Sequence, residues 1–190
     1  MFKLIKKLFT NSKQSNDLGI QISNDETNFI NQTMKAVLVQ ELDKRDYFNK
    51  EHSGKIIEHI FGRIDLNKGK AYLSNEQKEQ LGISKRLKIS EDLIEIFNKE
   101  KIKGTNPKKL LSNLFNQVRN KALEINNLRK LKNVGFKYVR LLNAGGKLSC
   151  EWCKKNDNKK IKIGDAVALI DRHCQCDFIR VTFVVDKNYD

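Results

Sequence analysis

No stretch of this sequence approaches the run of about eighteen consecutive apolar residues that a membrane-spanning helix requires. The first ten residues, M-F-K-L-I-K-K-L-F-T, are too short and too charged to form the apolar region of a secretory signal. Internal repeats and low-complexity tracts are missing as well. These absences exclude a helical membrane protein and a repeat array, and we expect a soluble chain.

Sequence patterns of catalytic metal sites are also absent. No histidine stands in an H-E-x-x-H or H-x-E context, which would supply a general base beside a metal-bound water. No pair of carboxylates accompanies the cysteines, and no histidine is placed to activate a nucleophile. We therefore predict that the protein is not an enzyme.

What the sequence has in excess is positive charge. Among its 190 residues, 37 are lysine or arginine and 23 are aspartate or glutamate, so the formal net charge is +14. A sequence pI near 9.6 is typical of proteins that meet nucleic acid, an anionic membrane surface or an acidic protein. The excess is concentrated in residues 84–133. The length suits one ordinary domain, or one small domain with helical arms.

The N-terminal segment, residues 1–22, is predicted as an amphipathic helix followed by a polar linker. Apolar residues recur there at helical spacing against three lysines, and they are Phe2, Leu4, Ile5, Leu8 and Phe9. Such a helix packs on its own domain or on a neighbouring subunit. An anchor to a membrane or to a partner protein is the other interpretation.

Residues 23–133 are predicted as a helical region. Ser23 and Glu26 have capping-box spacing, so a helix should begin there and continue to about residue 45. Three shorter helices should follow: one ending near Gly62, one over 75–81, and one from a Ser90 cap to roughly Lys101.

The longest predicted helix begins in the segment G-T-N-P-K-K-L-L. Asn106 can cap it, and Pro107 fits its first turn, where no backbone N–H is needed. Apolar residues then recur at steps of three and four until Gly135, which predicts about 25 helical residues and a length of roughly 38 Å. The other face carries six cations, Lys108, Lys109, Arg119, Lys121, Lys130 and Lys132. These form either an ordinary solvated face or a stripe that contacts DNA without reading its sequence.

Residues 134–190 are predicted as a small β domain. F-K-Y-V-R-L-L is rich in strand-forming residues and leads into a turn at N-A-G-G-K. D-F-I-R-V-T-F-V-V-D is also strand-like, and Ile161 and Ile163 offer a third short strand. Helices first and strands last predict an α+β fold, with an elongated helical N-terminal part that includes a long central helix, followed by a small antiparallel sheet.

All four cysteines lie in two short stretches near the C-terminal end, C-E-W-C and H-C-Q-C. A two-residue gap lets both thiolates of C-x-x-C turn toward one tetrahedral ion, and a second pair about twenty residues later permits a hairpin whose ends meet at the metal. Five candidates compete for four places: Cys150, Cys153, His173, Cys174 and Cys176. We predict that four of them bind a structural zinc ion, a zinc knuckle that holds the small sheet together.

Three other interpretations of the cysteines are open. Two structural disulfides would suit a secreted protein, whereas cytosolic thiols stay reduced. A thioredoxin-like redox C-x-x-C should open a helix after a strand, and here the motif is predicted to lie between strands. Buried cysteines without a ligand would not be expected to cluster in this way. Trp152, inside the first stretch, is expected to pack in the core.

The C-terminal half resembles the phage Mu F-like family of minor head, or head-morphogenesis, proteins. That family's pattern is a long helix ending in glycine, a strand, C-x-x-C, an Asp-Gly turn with a following lysine, and a closing His-Pro-x-Cys-Arg-Cys. The matching pieces lie within residues 84–185 and are L-F-N-Q-V-R-N-K-A-L-E-I, V-G-F-K-Y-V-R-L, C-E-W-C, N-D-N-K and D-R-H-C-Q-C followed by a strand. Asn158 replaces the turn glycine, and asparagine accepts the left-handed conformation. Asp171 and Arg172 replace His-Pro, so His173 takes the place of the family histidine or the ligand set is all cysteine.

The resemblance implies a non-enzymatic phage minor head protein, which associates with portal and capsid proteins during head assembly. Its expected location is the virion, at the capsid interior or the portal vertex, and the host cytoplasm during assembly. A basic helical body is suited to non-specific contact with packaged DNA, because lysines near phosphates release counterions. The alternative is a zinc-ribbon protein that binds nucleic acid, with K-K-N-D-N-K-K-I-K as its contact loop.

Overall fold

The computed structural model describes residues 24–185, and in that part of the chain it shows seven α-helices and three β-strands. The helices are α1 (Asn24–Lys44), α2 (Ser53–Ile60), α3 (Asn75–Gln80), α4 (Glu91–Glu95), α5 (Pro107–Asn133), α6 (Glu151–Lys155) and α7 (Ala166–His173). The strands are β1 (Tyr138–Asn143), β2 (Lys160–Lys162) and β3 (Val181–Val185). The predicted amphipathic helix and linker of residues 1–22, and the predicted cap residue Ser23, lie outside the described residues.

The α+β class predicted from the sequence is confirmed. The three strands form one antiparallel sheet in the order β2–β1–β3, so β1 is the central strand. The long helix is confirmed as α5, whose 27 residues extend about 40 Å. No helix within residues 24–185 has both the length and the apolar character needed to cross a bilayer.

The described residues pack as two compact units that differ from the predicted domains. One unit contains Leu38–Leu111, and the other combines Asp25–Val37 with residues from Ser112 onward. The boundary predicted between 133 and 134 is not where the packing divides, because Leu128 of α5 belongs to the hydrophobic core of the sheet. The sheet and most of α5 therefore belong to the same unit.

Both ends of α5 follow the signals in the sequence. The Asn106 side-chain oxygen accepts hydrogen bonds from the backbone N–H groups of Lys108, at 3.1 Å, and Lys109, at 3.4 Å. Past the C-terminal end, Gly135 has φ = 96°, and its N–H donates to the Lys132 carbonyl at 3.0 Å. A cap asparagine at one end and a left-handed glycine at the other set the length of the helix.

Helix α4 is shorter than the sequence predicts. The Ser90 cap is confirmed, since its hydroxyl accepts from the Leu93 N–H, but the helix ends at Glu95 rather than near Lys101. Directly after it, Phe97 forms an antiparallel bridge with Phe48, and their rings stack with centroids 5.0 Å apart. Backbone hydrogen bonds flank the bridge, from Asn49 N to Ile96 O and from Asn98 N to Tyr47 O. This tertiary pairing ends the helix.

The sheet buries one face against helices. Strand register aligns Val139 with Ile161 and Leu141 with Phe183, so these four side chains share the inner face. They pack in one core with residues of α5, α6 and α7, namely Leu128, Cys153, Ala166 and Ile170. A three-stranded sheet closes its core with these helices, and one cysteine is part of that core.

Polar side chains of α5 bind the outer edge of β3 and the residues before it. Gln117 accepts from the Ile179 N–H at 2.7 Å, and Asn120 donates to the Ile179 carbonyl at 3.3 Å. Glu124 accepts from the Thr182 hydroxyl at 2.7 Å and from the Phe183 N–H at 3.1 Å, and Asn127 donates to the Phe183 carbonyl at 2.8 Å. An edge strand otherwise presents unpaired backbone groups, so this row of side chains both fixes α5 and covers the edge.

Replacing Glu124 by alanine should reduce the free energy of unfolding by about 1–3 kcal/mol, because the Phe183 N–H and the Thr182 hydroxyl would lose their acceptor. Urea denaturation followed by circular dichroism measures the change. Glu58→Ala, at an exposed position of α2, is the matched control and should shift the midpoint little. Equal stability of the two variants would contradict the edge-binding role.

Candidate metal centre

The four cysteine sulfur atoms come together at one point of the fold. Cys150, Cys153, Cys174 and Cys176 each contribute one Sγ, and the four atoms lie within 4.8 Å of one another. The shorter separations are 3.5 Å between Cys150 and Cys153, 3.6 Å between Cys153 and Cys174, and 3.9 Å between Cys153 and Cys176. All four are free cysteines. Such a cluster can hold one metal ion.

The elements that carry the cysteines differ from the predicted hairpin. C-x-x-C opens a helix, with Cys150 at the N-cap of α6 and Cys153 inside the helix. The second pair follows α7, where the Cys174 N–H still donates to the Ile170 carbonyl at 2.9 Å before the chain becomes extended. Helical turns rather than strand ends therefore place the sulfur atoms. The extended backbone at Cys174 is followed by a bend that begins at Cys176, and Cys176 Sγ lies 3.9 Å from Cys153 Sγ.

Cys153 anchors the cluster in the core of the sheet. Its side chain is fully buried, whereas Cys150, Cys174 and Cys176 are partly buried and pack against the same core. The buried residues Ala166 and Ile170 of α7 belong to this core as well. Packing of α6 and α7 on the sheet thus fixes the spacing of the two cysteine pairs.

Backbone N–H groups point at two of the sulfur atoms. The Cys150 N–H donates to Cys176 Sγ at 3.2 Å, and the Gln175 N–H donates to Cys150 Sγ at 3.4 Å. Each bond joins one cysteine stretch to the other. Hydrogen bonds to sulfur favour the thiolate, which is the form that binds a metal ion. The role of Gln175 could not be predicted from the sequence, because it contributes a backbone N–H rather than a side chain.

The thiols differ in how readily they ionise. Burial disfavours the thiolate of Cys150, but hydrogen bonds from the backbone of Cys153 and Gln175 and from neighbouring thiols lower its pKa to about 7. Burial raises the pKa of Cys174 to about 11, and burial also raises the pKa of Cys153, with the nearby Cys150 and Cys174 adding to the effect. Adjacent thiolates repel one another, so all four ionise together only with a cation among them.

His173 is the candidate ligand that the structure does not bring into the cluster. It is the last residue of α7, and its ring stacks on Trp152 with centroids 5.6 Å apart and planes 18° apart. Trp152 is partly buried and packs against the core, in line with the role expected for it. The histidine therefore lies beside the cluster, and the four sulfur atoms form the candidate ligand set.

The positions of the four cysteines also decide between a redox-active C-x-x-C pair and a shared metal site. C-x-x-C lies between β1 and β2, as predicted, but it also opens the short helix α6, as a redox-active pair would. A two-thiol redox site, however, needs no second pair of cysteines beside it. Here Cys153 is as close to Cys174 as it is to Cys150, which is the arrangement that a shared ion requires.

The six cations predicted to contact DNA do not share one environment. Lys121 does not lie on the solvent-exposed face on which the sequence places it. It is buried, and its ammonium lies 2.5 Å from the Asp171 carboxylate of α7. Burial against a carboxylate removes this charge from any DNA-contacting surface. Lys130 pairs with Glu26 at 2.5 Å while remaining half exposed. Of the others, Lys109, Arg119 and Lys132 are exposed and Lys108 is partly buried. DNA contact by these residues stays a prediction.

Comparison with known proteins finds no matching family model, no similar curated protein and no similar solved structure. The cysteine cluster and the elements around it are therefore the features from which a function is proposed.

The ligand set predicts which substitutions remove the metal ion. Cys174→Ser should reduce the metal content of the purified chain from about one ion to well below half an ion, because three sulfur ligands hold an ion less firmly than four. His173→Ala is the matched control on the neighbouring residue and should keep the full content. Elemental analysis by plasma mass spectrometry measures both. Loss of metal in the histidine variant would show that His173 is a ligand.

The Lys121–Asp171 pair predicts a stability effect instead of a DNA-binding effect. Lys121→Met should reduce the free energy of unfolding by about 1–2 kcal/mol, since it leaves a partly buried carboxylate without its cation. Lys132→Met, which removes the same charge at an exposed position of α5, should leave the urea midpoint nearly unchanged. A Lys121 variant as stable as the Lys132 variant would contradict the structural role.

Proposed function

We propose that the chain is a non-enzymatic phage minor head protein, which associates with the portal and the capsid interior during head assembly. The observation that carries the proposal is the order of elements around the cysteine cluster. A long helix ends at Gly135, a strand follows, C-x-x-C comes next, and after C-x-C the chain enters a closing strand. This is the order of the phage Mu F-like pattern.

A local feature of the turn adds to the resemblance. Asn158 stands where the family pattern has glycine, and its φ of 62° is left-handed, as a glycine position there would require. Its N–H donates to the Leu141 carbonyl at 2.7 Å, and its own carbonyl accepts from the Arg140 guanidinium at 3.0 Å. The turn thus joins the segment after the first cysteine pair to the central strand.

We propose zinc as the metal ion. Four thiolates are a soft donor set, and sulfur ligands at about 2.3 Å from a tetrahedral ion lie about 3.8 Å from one another. The shorter Sγ separations, 3.5, 3.6 and 3.9 Å, are close to that value. A closed shell of four sulfur atoms leaves no position for a reacting water, so the role proposed for the ion is structural. The elemental analysis of the purified chain is expected to return zinc.

A structural ion suits the size of this part of the chain. Strand β2 has three residues, and helix α6 has five, so neither is stable by itself. The ion would connect α6 to the end of α7 across a separation of about twenty residues in sequence. In the proposed function, this gives the sheet a rigid surface for docking on portal or capsid subunits.

A second candidate function is a zinc-ribbon protein that binds nucleic acid. It is favoured by the exposure of five lysines in residues 154–162, namely Lys154, Lys155, Lys159, Lys160 and Lys162. Several of them already have partners: Lys154 pairs with Glu151 at 3.0 Å, and the Lys160 ammonium lies 4.7 Å from the centre of the Tyr138 ring. Sequence-selective DNA binding at physiological salt would favour this candidate over the first.

The head-protein proposal predicts incorporation that depends on the metal centre. When the phage is produced with the Cys150→Ser, Cys153→Ser double variant, heads separated on a density gradient should contain less than about a tenth of the normal amount of the chain, because the docking surface no longer forms. Lys155→Ser, an exposed position in the same segment, is the control and should be incorporated normally. Quantitative mass spectrometry of the heads measures both.

Two results would contradict the proposal. One is the absence of the unmodified chain from purified heads. The other is normal incorporation and infectivity with the double cysteine variant.

A further inference from the structure

A cleft of about 300 Å³ lies between α5 and the segment that leads into β3. Its apolar lining includes Leu123 of α5, which is 37% exposed, and Phe178. Ala144 and Gly145, which follow β1, line another side, and Arg180 contributes the cationic group. The cleft is separate from the cysteine cluster, whose sulfur ligands are not part of its lining.

The side chain of Arg180 is held in place from two directions. Its guanidinium lies 4.0 Å from the centre of the Phe178 ring. Its stem lies so close to Gly145 that a Cβ there would be 2.8 Å from Arg180 Cβ and Cδ, and 2.2 Å from the Ser149 hydroxyl. Only glycine permits this approach. An arginine fixed in this way loses little conformational entropy when it binds a ligand.

Arg180 has no carboxylate partner within residues 24–185. The ion pairs of that part of the chain do not include it, and its buried Nε–H has no hydrogen-bond acceptor. The carboxylate on the wall of the cleft, Glu124, uses its two oxygens for the Thr182 hydroxyl and the Phe183 N–H. The Nε–H itself is buried, so a ligand oxyanion would contact the terminal N–H groups of the guanidinium, whose charge no carboxylate of the described residues neutralises.

In the part of the chain that the structure describes, two other buried side-chain nitrogen atoms also have no hydrogen-bond partner, Asn31 Nδ2 and Arg129 Nε. Neither residue lines this cleft, and the Arg129 guanidinium donates to the Asn126 side chain at 3.0 Å. Arg180 therefore combines three features: an unsatisfied N–H, an unpaired charge and a place in the wall of a cleft.

We propose that Arg180 binds a carboxylate on a peptide segment of a protein partner, with an adjacent apolar side chain of that segment lying against Leu123 and Phe178. The guanidinium presents paired N–H groups that match a carboxylate. The exposed apolar surface beside it favours a peptide over a nucleic acid, because a phosphate backbone brings no apolar group to such a cleft. This goes beyond the proposed function and does not depend on it, since the site needs only the chain itself.

The test uses the full purified chain and the small probe N-acetyl-leucine, which carries a carboxylate beside an isobutyl group. In ¹H–¹⁵N NMR spectra, probe concentrations up to about 20 mM should shift the Arg180 Nε–H and Gly145 amide signals with saturation. N-acetyl-leucinamide, which lacks the carboxylate, should bind at least about tenfold more weakly. These two measurements need no variant.

Variants then assign the effect to Arg180. Arg180→Gln should weaken N-acetyl-leucine binding at least about tenfold, and Arg180→Lys, which keeps the charge but not the paired N–H groups, should weaken it by several-fold. Arg172→Gln removes the same charge at an exposed position of α7 and should leave the affinity unchanged. Unchanged metal content and unchanged amide signals elsewhere confirm that each variant is folded.

Three outcomes would overturn the proposal. The first is an Arg180 Nε–H signal that does not move with N-acetyl-leucine. The second is equal binding of the acid and the amide. The third is binding of phenyl phosphate at least about tenfold more tightly than N-acetyl-leucine, which would point to a phosphate-bearing partner instead of a peptide carboxylate. Because none of these measurements involves phage heads, they are independent of the head-assembly experiment.

Discussion

The crowding of four cysteine thiols at one point of the core is the constraint on which the C-terminal unit depends. Cys153 is buried in the core of the sheet, and three further thiols crowd around it within 4.8 Å. Ionising them side by side is unfavourable in a buried site, as the raised pKa values of Cys153 and Cys174 indicate. A bound cation reverses this balance, because it attracts every thiolate at once. Metal binding and folding of α6 and α7 are then expected to be coupled.

Helix α5 is the second structural element on which this unit depends. Its apolar face supplies Leu128 to the core, while the row from Gln117 to Asn127 binds the edge of β3. Lys121 joins the same helix to α7 through Asp171, one turn before the cysteine at the end of α7. The helix thus positions β3 and α7, and through α7 it positions Cys174 and Cys176.

Several features could be predicted from the sequence because their causes are local. The start and end of α5 follow from Asn106, Pro107 and Gly135, whose backbone preferences act within a few residues. The left-handed Asn158 is equally local. Other features could not be predicted in this way. Helix α4 ends early because Phe97 pairs with Phe48, and the residues next to Phe97 in the sequence do not predict that contact.

The lysine-bearing face of α5 is a second case in which the local sequence does not predict a tertiary contact. A period of three and four residues separates apolar from polar positions, but it does not say which polar positions meet another part of the chain. Lys121 falls on the polar side by sequence and is nevertheless buried, because Asp171, fifty residues later, supplies a carboxylate. Glu124 and Asn127 likewise read as ordinary polar residues in the sequence, and only the fold shows that they bind the backbone of β3.

The sequence by itself determined the α+β class, the long helix and the set of residues from which a metal site could be built, because periodicity, capping and cysteine spacing are properties of short segments. Tertiary structure alone decided which candidates meet. It turned His173 against Trp152 and brought Cys176 back to the other three cysteines. The reason is geometric. Whether two ligands share an ion depends on how α6 and α7 pack against the sheet. That packing involves residues of every element from α5 to β3, which lie far apart in the sequence.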